Sequence, residues 1–394
     1  MTKNNKPYQF SFAIIALIFM LGLIMEFLFA ETRINLEFPI NLYVLIAFVN
    51  ILFFSYYFLR ENKIVKWLSS VPAAVAAISL FAALSLIMGF VPQEETGTGF
   101  YNITSSWMYL FSLLFLLLVL GMVTMKRLIP FRLKNVGFLL NHVGLWIALA
   151  CGSLGASDVI SLKMPLNEGE VSWKAYNTKG EVFELPVAIK LNDFSMELYP
   201  AKIVLVNKQD SKIVGKGKKY DFVSSEPGKN GSLSNYQIDV IEALEDAVYF
   251  EGVFREVHHP GSAPAAKISV TGEGFDSSVT GWISSGSYNQ MAMNLDLGNG
   301  FFVGMTDPEP AKFASDVFVY TKDGKTETAI IEVNKPYSIN HWKIYQSSYN
   351  EQMGKWSTES VVELVRDRWL PWVYIGIYLM LAGAIVIFWK GAKR

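Results

Sequence analysis

The chain holds a single cysteine, Cys151, in 394 residues. One thiol excludes an internal disulfide and any Cys-x-x-Cys redox pair, and with them a thiol oxidoreductase. Histidine is almost as scarce, with four in all. His258 and His259 are adjacent; on a strand they would point to opposite faces, so they cannot easily chelate one metal. The proline and glycine that follow them favour a surface loop. Charge is sparse too, at 18% of residues against the 25% or so of ordinary globular chains. The net charge of −1 argues for neither nucleic acid nor acidic substrates. No phosphate loop, dinucleotide fingerprint or zinc motif is present, and no internal repeat or low-complexity tract is visible. These residues and spacings predict no chelated metal site.

Apolar sequence fills the space. Six runs approach the 20 or so residues that span a bilayer core: 10–30, 40–59, 71–91, 107–125, 136–154 and 369–389. Five fall in residues 1–156, and the sixth lies in 369–394 with a short basic tail. Residues 157–368 between them read as a water-soluble domain. The first run exceeds a signal-peptide core and has no small-residue cleavage site before Glu31, so it reads as a retained anchor.

Basic residues set the expected orientation. With the N-terminus in the cytoplasm, the inner segments hold twelve: Lys3, Lys6, Arg60, Lys63, Lys66, Lys126, Arg127, Arg132, Lys134, Lys390, Lys393 and Arg394. The short outer loops hold only Arg33. Both termini are expected inside and the large domain outside, periplasmic in a Gram-negative cell. The loop KRLIPFRLK, with four positive charges, reads as a topology anchor.

The outer domain reads as all-β or mainly β. Candidate strands are 182–191, 196–207, 236–242, 247–254, 265–271, 279–285, 316–321, 326–333, 341–349 and 359–366. Asp323-Gly324 between two of them predicts a hairpin. Short strands separated by turns point to a sandwich or a related β-fold. His341 is expected on the polar face of strand 341–349, with Lys343, Tyr345 and Ser347.

Two ionisable side chains fall within the spans. Glu26, near the outer end of the first, can reach the interface or a neighbouring polar group, or serve as a relay group. His142 lies about six residues into the fifth span, about 9 Å along it at 1.5 Å per residue. Imidazole has no stem with which to snorkel, so it needs a partner at that depth. Leu139, Trp146 and Leu149 share its helical face. Gly144, Ala148 and Gly152 form a small-residue row on the far side, where another helix can approach closely. Two readings stay open on this geometry: a histidine hydrogen-bonded between helices, or a cofactor or proton site such as an axial haem ligand.

LNHVGLW at 140–146, followed by GSLGASD and a β-rich domain, resembles the ResB family, also called CcsB. VNKPYSINHWKIYQSSYN at 333–350 is similar to that family's N-x-P and W-x-x-Y-Q-S-S-Y segment. ELVRDRW, leading into the last span, is similar to its Arg-Asp exit. The three stretches bracket residues 138–389. The resemblance implies a System II cytochrome c biogenesis subunit that exports or positions haem b and presents apocytochrome c for covalent attachment. It implies His142 as an axial haem ligand, with Leu139, Trp146 and Leu149 as pocket candidates. The implied partners are a CcsA/ResC-type membrane subunit, apocytochrome c and a thiol-reducing protein, at the bacterial cytoplasmic membrane. Asn334, Pro336, Tyr345, Gln346 and Tyr349 form the outer-domain motif, read as structural. The chain lacks the family partner's tryptophan-rich motif, so it reads as an unfused subunit of a cytochrome c synthase, not catalytic alone. It carries five spans before the domain where three are expected, and Asn340-His341 where a glycine is expected. A cofactor-free membrane-anchored β-domain scaffold or sensor, or a proton-coupled transporter using His142 and Glu26, are the competing classes.

Overall fold

The computed structural model describes residues 6–30, 36–94, 97–216, 219–272, 277–298 and 300–391. Lys3, Arg33, Lys393 and Arg394 of the orientation count lie outside them. Six helices are long and apolar enough to cross a membrane, and a large, mainly β domain sits between the fifth of them and the last. They are α1 (Lys6–Phe29), α2 (Ile40–Leu59), α4 (Val71–Phe90), α5 (Trp107–Leu128), α6 (Val136–Leu154) and α7 (Leu370–Gly391), with a short α3 (Lys63–Leu68) between α2 and α4. The chain divides into two compact units, residues 1–160 with 367–394, and residues 161–366.

In the helical unit, α5 is the most buried span and packs against α1, α2, α4 and α6. Glu26 is consumed at its start: one carboxylate oxygen accepts from Gly99 N at 2.7 Å, the other from Trp107 N at 2.9 Å. Trp107 opens α5, whose N-cap is Ser106, so a negative charge sits against unpaired helix N–H groups. This favours the structural reading of Glu26 over a relay. Glu26→Ala is expected to cost roughly 2–4 kcal/mol through two lost charge-assisted hydrogen bonds, and Glu26→Gln less. Thermal melting in detergent checks it; an unchanged melt for the alanine variant would remove Glu26 from the frame.

A polar knot ties one end of the same unit. Asn41, fully buried at the start of α2, donates to Leu154 O at 3.0 Å and to Asp158 at 2.7 Å. Asp158 also accepts from Phe38 N and from the Trp369 indole. Burial works against ionisation, but the bonds from Asn41, Phe38 and Trp369, with Arg368 nearby, outweigh it and hold the Asp158 carboxyl below its usual range. Gly155 makes room, since a Cβ there would lie 2.4 Å from that of Trp369. Asp367 caps α7 through Trp369 N and Leu370 N. The GSLGASD and Arg-Asp stretches therefore meet as a joint.

The β unit contains an eight-stranded antiparallel sheet in the order 326–332, 310–321, 182–198, 171–176, 160–167, 359–366, 342–349, 337–339. Its two end strands are joined by the turn 333–336, so the sheet curls around one core. That core takes alternate residues: Leu162, Met164 and Leu166 from one strand, Val187, Ile189 and Leu191 from another, Trp342 and Ile344 from a third. A second core lies between a five-stranded and a four-stranded sheet and includes Ile203, Leu205, Ile238, Val240, Ile268 and Ile283. The hairpin at Asp323-Gly324 forms as expected, with Gly324 at φ 78°. Strands 160–167 and 171–176, at the middle of the large sheet, had no expectation in the sequence. The proposed break between 242 and 247 is absent, for one strand runs through Tyr236–Phe250.

His341 corrects the reading of strand 341–349. The strand starts at Trp342, and Ile339 pairs with Trp342 across a two-residue turn. Asn340 at φ 48° and His341 at φ 67° are its central residues, the pattern of a type I′ hairpin turn. Glycine suits that position best, which accounts for the expected glycine there. His341→Val is expected to destabilise the β unit by about 2 kcal/mol because a β-branched residue resists positive φ. His341→Gly should be neutral or slightly stabilising. Limited proteolysis against temperature on the full chain checks both; equal behaviour of the two variants would contradict the turn.

Candidate functional site

The one histidine of the helical unit sits on α6, one turn beyond Phe138. Two contacts fix its ring. Nδ1 lies 3.1 Å from Phe138 O, and the imidazole stacks on the Phe138 ring with centroids 3.6 Å apart at 21°. A carbonyl oxygen can only accept, so this bond places the ring proton on Nδ1. The Nε2 lone pair is then left for a Lewis acid. The side chain is half-buried, and Nε2 makes no hydrogen bond among the described residues.

The opposite face of α6 is spent on packing. A Cβ on Gly144 would lie 2.5 Å from Gly376 O, and one on Gly376 would lie 2.7 Å from Ala148 N. Gly383 approaches Asn141 and Gly137 equally closely, and Gly152 faces Val373. The small-residue row thus meets a matching row on α7. Helix backbones approach this closely only where side chains are absent.

Trp146 donates to Leu117 O at 3.0 Å and stacks on Phe48 at 6.0 Å. Leu149 packs with Leu113, Leu117 and Ala150, and Leu139 is buried. Trp146 and Leu149 therefore fill the seam with α5 and α2, while the ring laid on the imidazole belongs to Phe138. Sequence reasoning missed Phe138. Its signal was the i−4 spacing, which on a helix leaves it about 40° from His142. A cleft of about 780 Å³ lies between α2, α5 and α6, with Phe48, Tyr109, Leu113 and Ser153 in its wall. No histidine lines it, so it offers apolar contact without an imidazole ligand.

The outer-domain motif forms one end of the curled sheet. Gln346, buried, accepts from Ser315 at 2.7 Å and donates to Ser360 at 2.9 Å and to Ser348 O. Ser315 and Ser360, both fully buried, come from strands far apart in the sheet order. The amide thus bridges the sheet's interior. Tyr349 stacks with Phe194 and packs edge-on to Phe313. Asn334, at φ 62°, makes the turn between the end strands, with Pro336 two residues on. Tyr345 is half-buried on the face opposite Gln346. In the same unit, His258 lies 3.3 Å from buried Asp246, which also pairs with Lys355 at 2.5 Å, and His259 contacts Pro260 O.

A lone imidazole held in one tautomer can supply one metal ligand and no more. Comparison with curated proteins finds no match. The model of the ResB-like family matches residues 132–363, more than half the chain, starting just after α5. The chain belongs to the ResB-like family, a membership that ties this membrane protein to cytochrome c biogenesis.

Proposed function

We propose that this chain is the unfused ResB/CcsB subunit of a System II cytochrome c synthase. With a CcsA/ResC-type partner it positions haem b, as cargo, for attachment to apocytochrome c. The observation that carries the reading is the Nδ1 bond to Phe138 O, which presents Nε2 as an axial donor. Bound iron would supply the Lewis acid that this lone pair satisfies. Leu139, Trp146 and Leu149 serve by keeping the seam behind the histidine dry. The β unit, extracytoplasmic on the charge-derived orientation in a bacterial cytoplasmic membrane, holds apocytochrome, the partner or both. Thioether formation needs reduced apocytochrome thiols, and this chain has only the buried Cys151. A separate thiol-reducing protein therefore belongs to the system.

The test is genetic and biochemical. Removing the chain from its native host should abolish covalently haem-stained c-type cytochromes, and restoring the full-length chain should bring them back. Undiminished c-type cytochromes without the chain would overturn the assignment.

A further inference from the structure

Phe138 carries a second partner besides the imidazole. The guanidinium carbon of Arg127, in the last turn of α5, stands 5.4 Å from the centre of the same ring. With the imidazole stacked 3.6 Å from that ring, the cation lies within about 9 Å of His142. Its neighbour Lys126 is occupied, donating to Ser69 O at 3.1 Å. Arg127 has no carboxylate partner among the described residues, and its side chain is exposed. A planar fork of N–H donors seated on an aromatic ring is pre-organised for bidentate binding of a carboxylate. The group proposed for His142 carries two carboxylates at its rim, offset sideways from its iron.

We propose that Arg127 binds a rim carboxylate of the porphyrin whose iron is held by His142, so that a cation–arene–imidazole ladder sets the macrocycle's rotation as well as its depth. The inference rests on the axial-ligand reading. It adds a specificity element: the site selects a porphyrin with free acids at its edge. On the charge-derived orientation, that edge faces the cytoplasmic surface.

The test uses the full chain co-purified in detergent with its CcsA-type partner, loaded with iron protoporphyrin IX or with its dimethyl ester. Affinity and the Soret position are read for wild type, Arg127→Ala, Arg127→Lys and His142→Gly. Wild type should prefer the free acid over the ester by roughly ten- to a hundredfold, the worth of a charge-assisted hydrogen bond. Arg127→Ala should lose that preference while its Soret position stays put, and Arg127→Lys should keep part of it. An unchanged acid-to-ester preference in Arg127→Ala would overturn the proposal. So would an equal loss for both porphyrins, which marks a purely structural role. Absence of any preference in wild type would also overturn it, and would leave Arg127 to a lipid phosphate. Failure of the axial-ligand reading shows separately, as a His142→Gly complex with unaltered haem content and spectrum.

Discussion

Gly144→Leu is expected to break the pairing of α6 with α7 and to remove most folded protein from the membrane. Even a Cβ at this position would sit 2.5 Å from Gly376 O and 2.7 Å from Met380 N. Both are backbone atoms, so no side-chain rotation relieves the clash. The helices would have to move apart along a seam that also holds Gly137, Ala148, Gly376 and Gly383. Between membrane helices, packing and a few polar bonds supply the attraction, here including Asn141 to Met380 O at 3.4 Å. Overpacking a well-fitted site costs about 1–3 kcal/mol; a branched side chain against rigid backbone should meet or exceed the upper figure. Gly89→Ala is the matched control. A Cβ there meets nothing within 4 Å, so the helix should gain up to about 1 kcal/mol from the better helix former. Yield and thermal melting in detergent check both. Normal yield and melting for Gly144→Leu would contradict the packing.

How much of this was legible in advance depends on the range of the interaction. The six spans follow from apolar run length, and the small-residue row on α6 follows from spacing alone, because both are local properties. The joint at Asn41, Asp158 and Trp369 was not legible, since it unites positions more than a hundred residues apart. Strands 160–167 and 171–176 escaped because their alternation is short, although Gly169, at φ 80°, marks the turn between them. Their place comes from pairing with distant strands such as 359–366. Asn340-His341 hides its turn because it holds no glycine, and positive φ is uncommon for any other residue, although Asn and His adopt it more readily than most. At the candidate site, the histidine and its face were readable from the helical period. The tautomer was not, because a bond to a backbone carbonyl leaves no trace in residue identity. Nor was Arg127, which reaches Phe138 from another helix.

His142→Gly is expected to strip haem from the complex by more than tenfold. Loss of a group that merely orients a metal ligand already costs about 10–100-fold in affinity, and under the proposed axial role of His142 the ligand itself would go. The variant should spare the fold. The α7 face of α6 is untouched by the change, and among the described residues the only hydrogen bond given up by the imidazole goes to a carbonyl within the same helix. The space vacated beside Phe138 should admit free imidazole. Phe138→Leu, which keeps the backbone carbonyl that sets the tautomer, should lose far less haem than His142→Gly. The most direct measurement is the absorption spectrum of the purified full-length chain with its CcsA-type partner, for wild type and for His142→Gly with and without added imidazole. The account predicts a Soret band that is lost in the variant and restored by imidazole. Haem unchanged in amount and ligation by the substitution would contradict it.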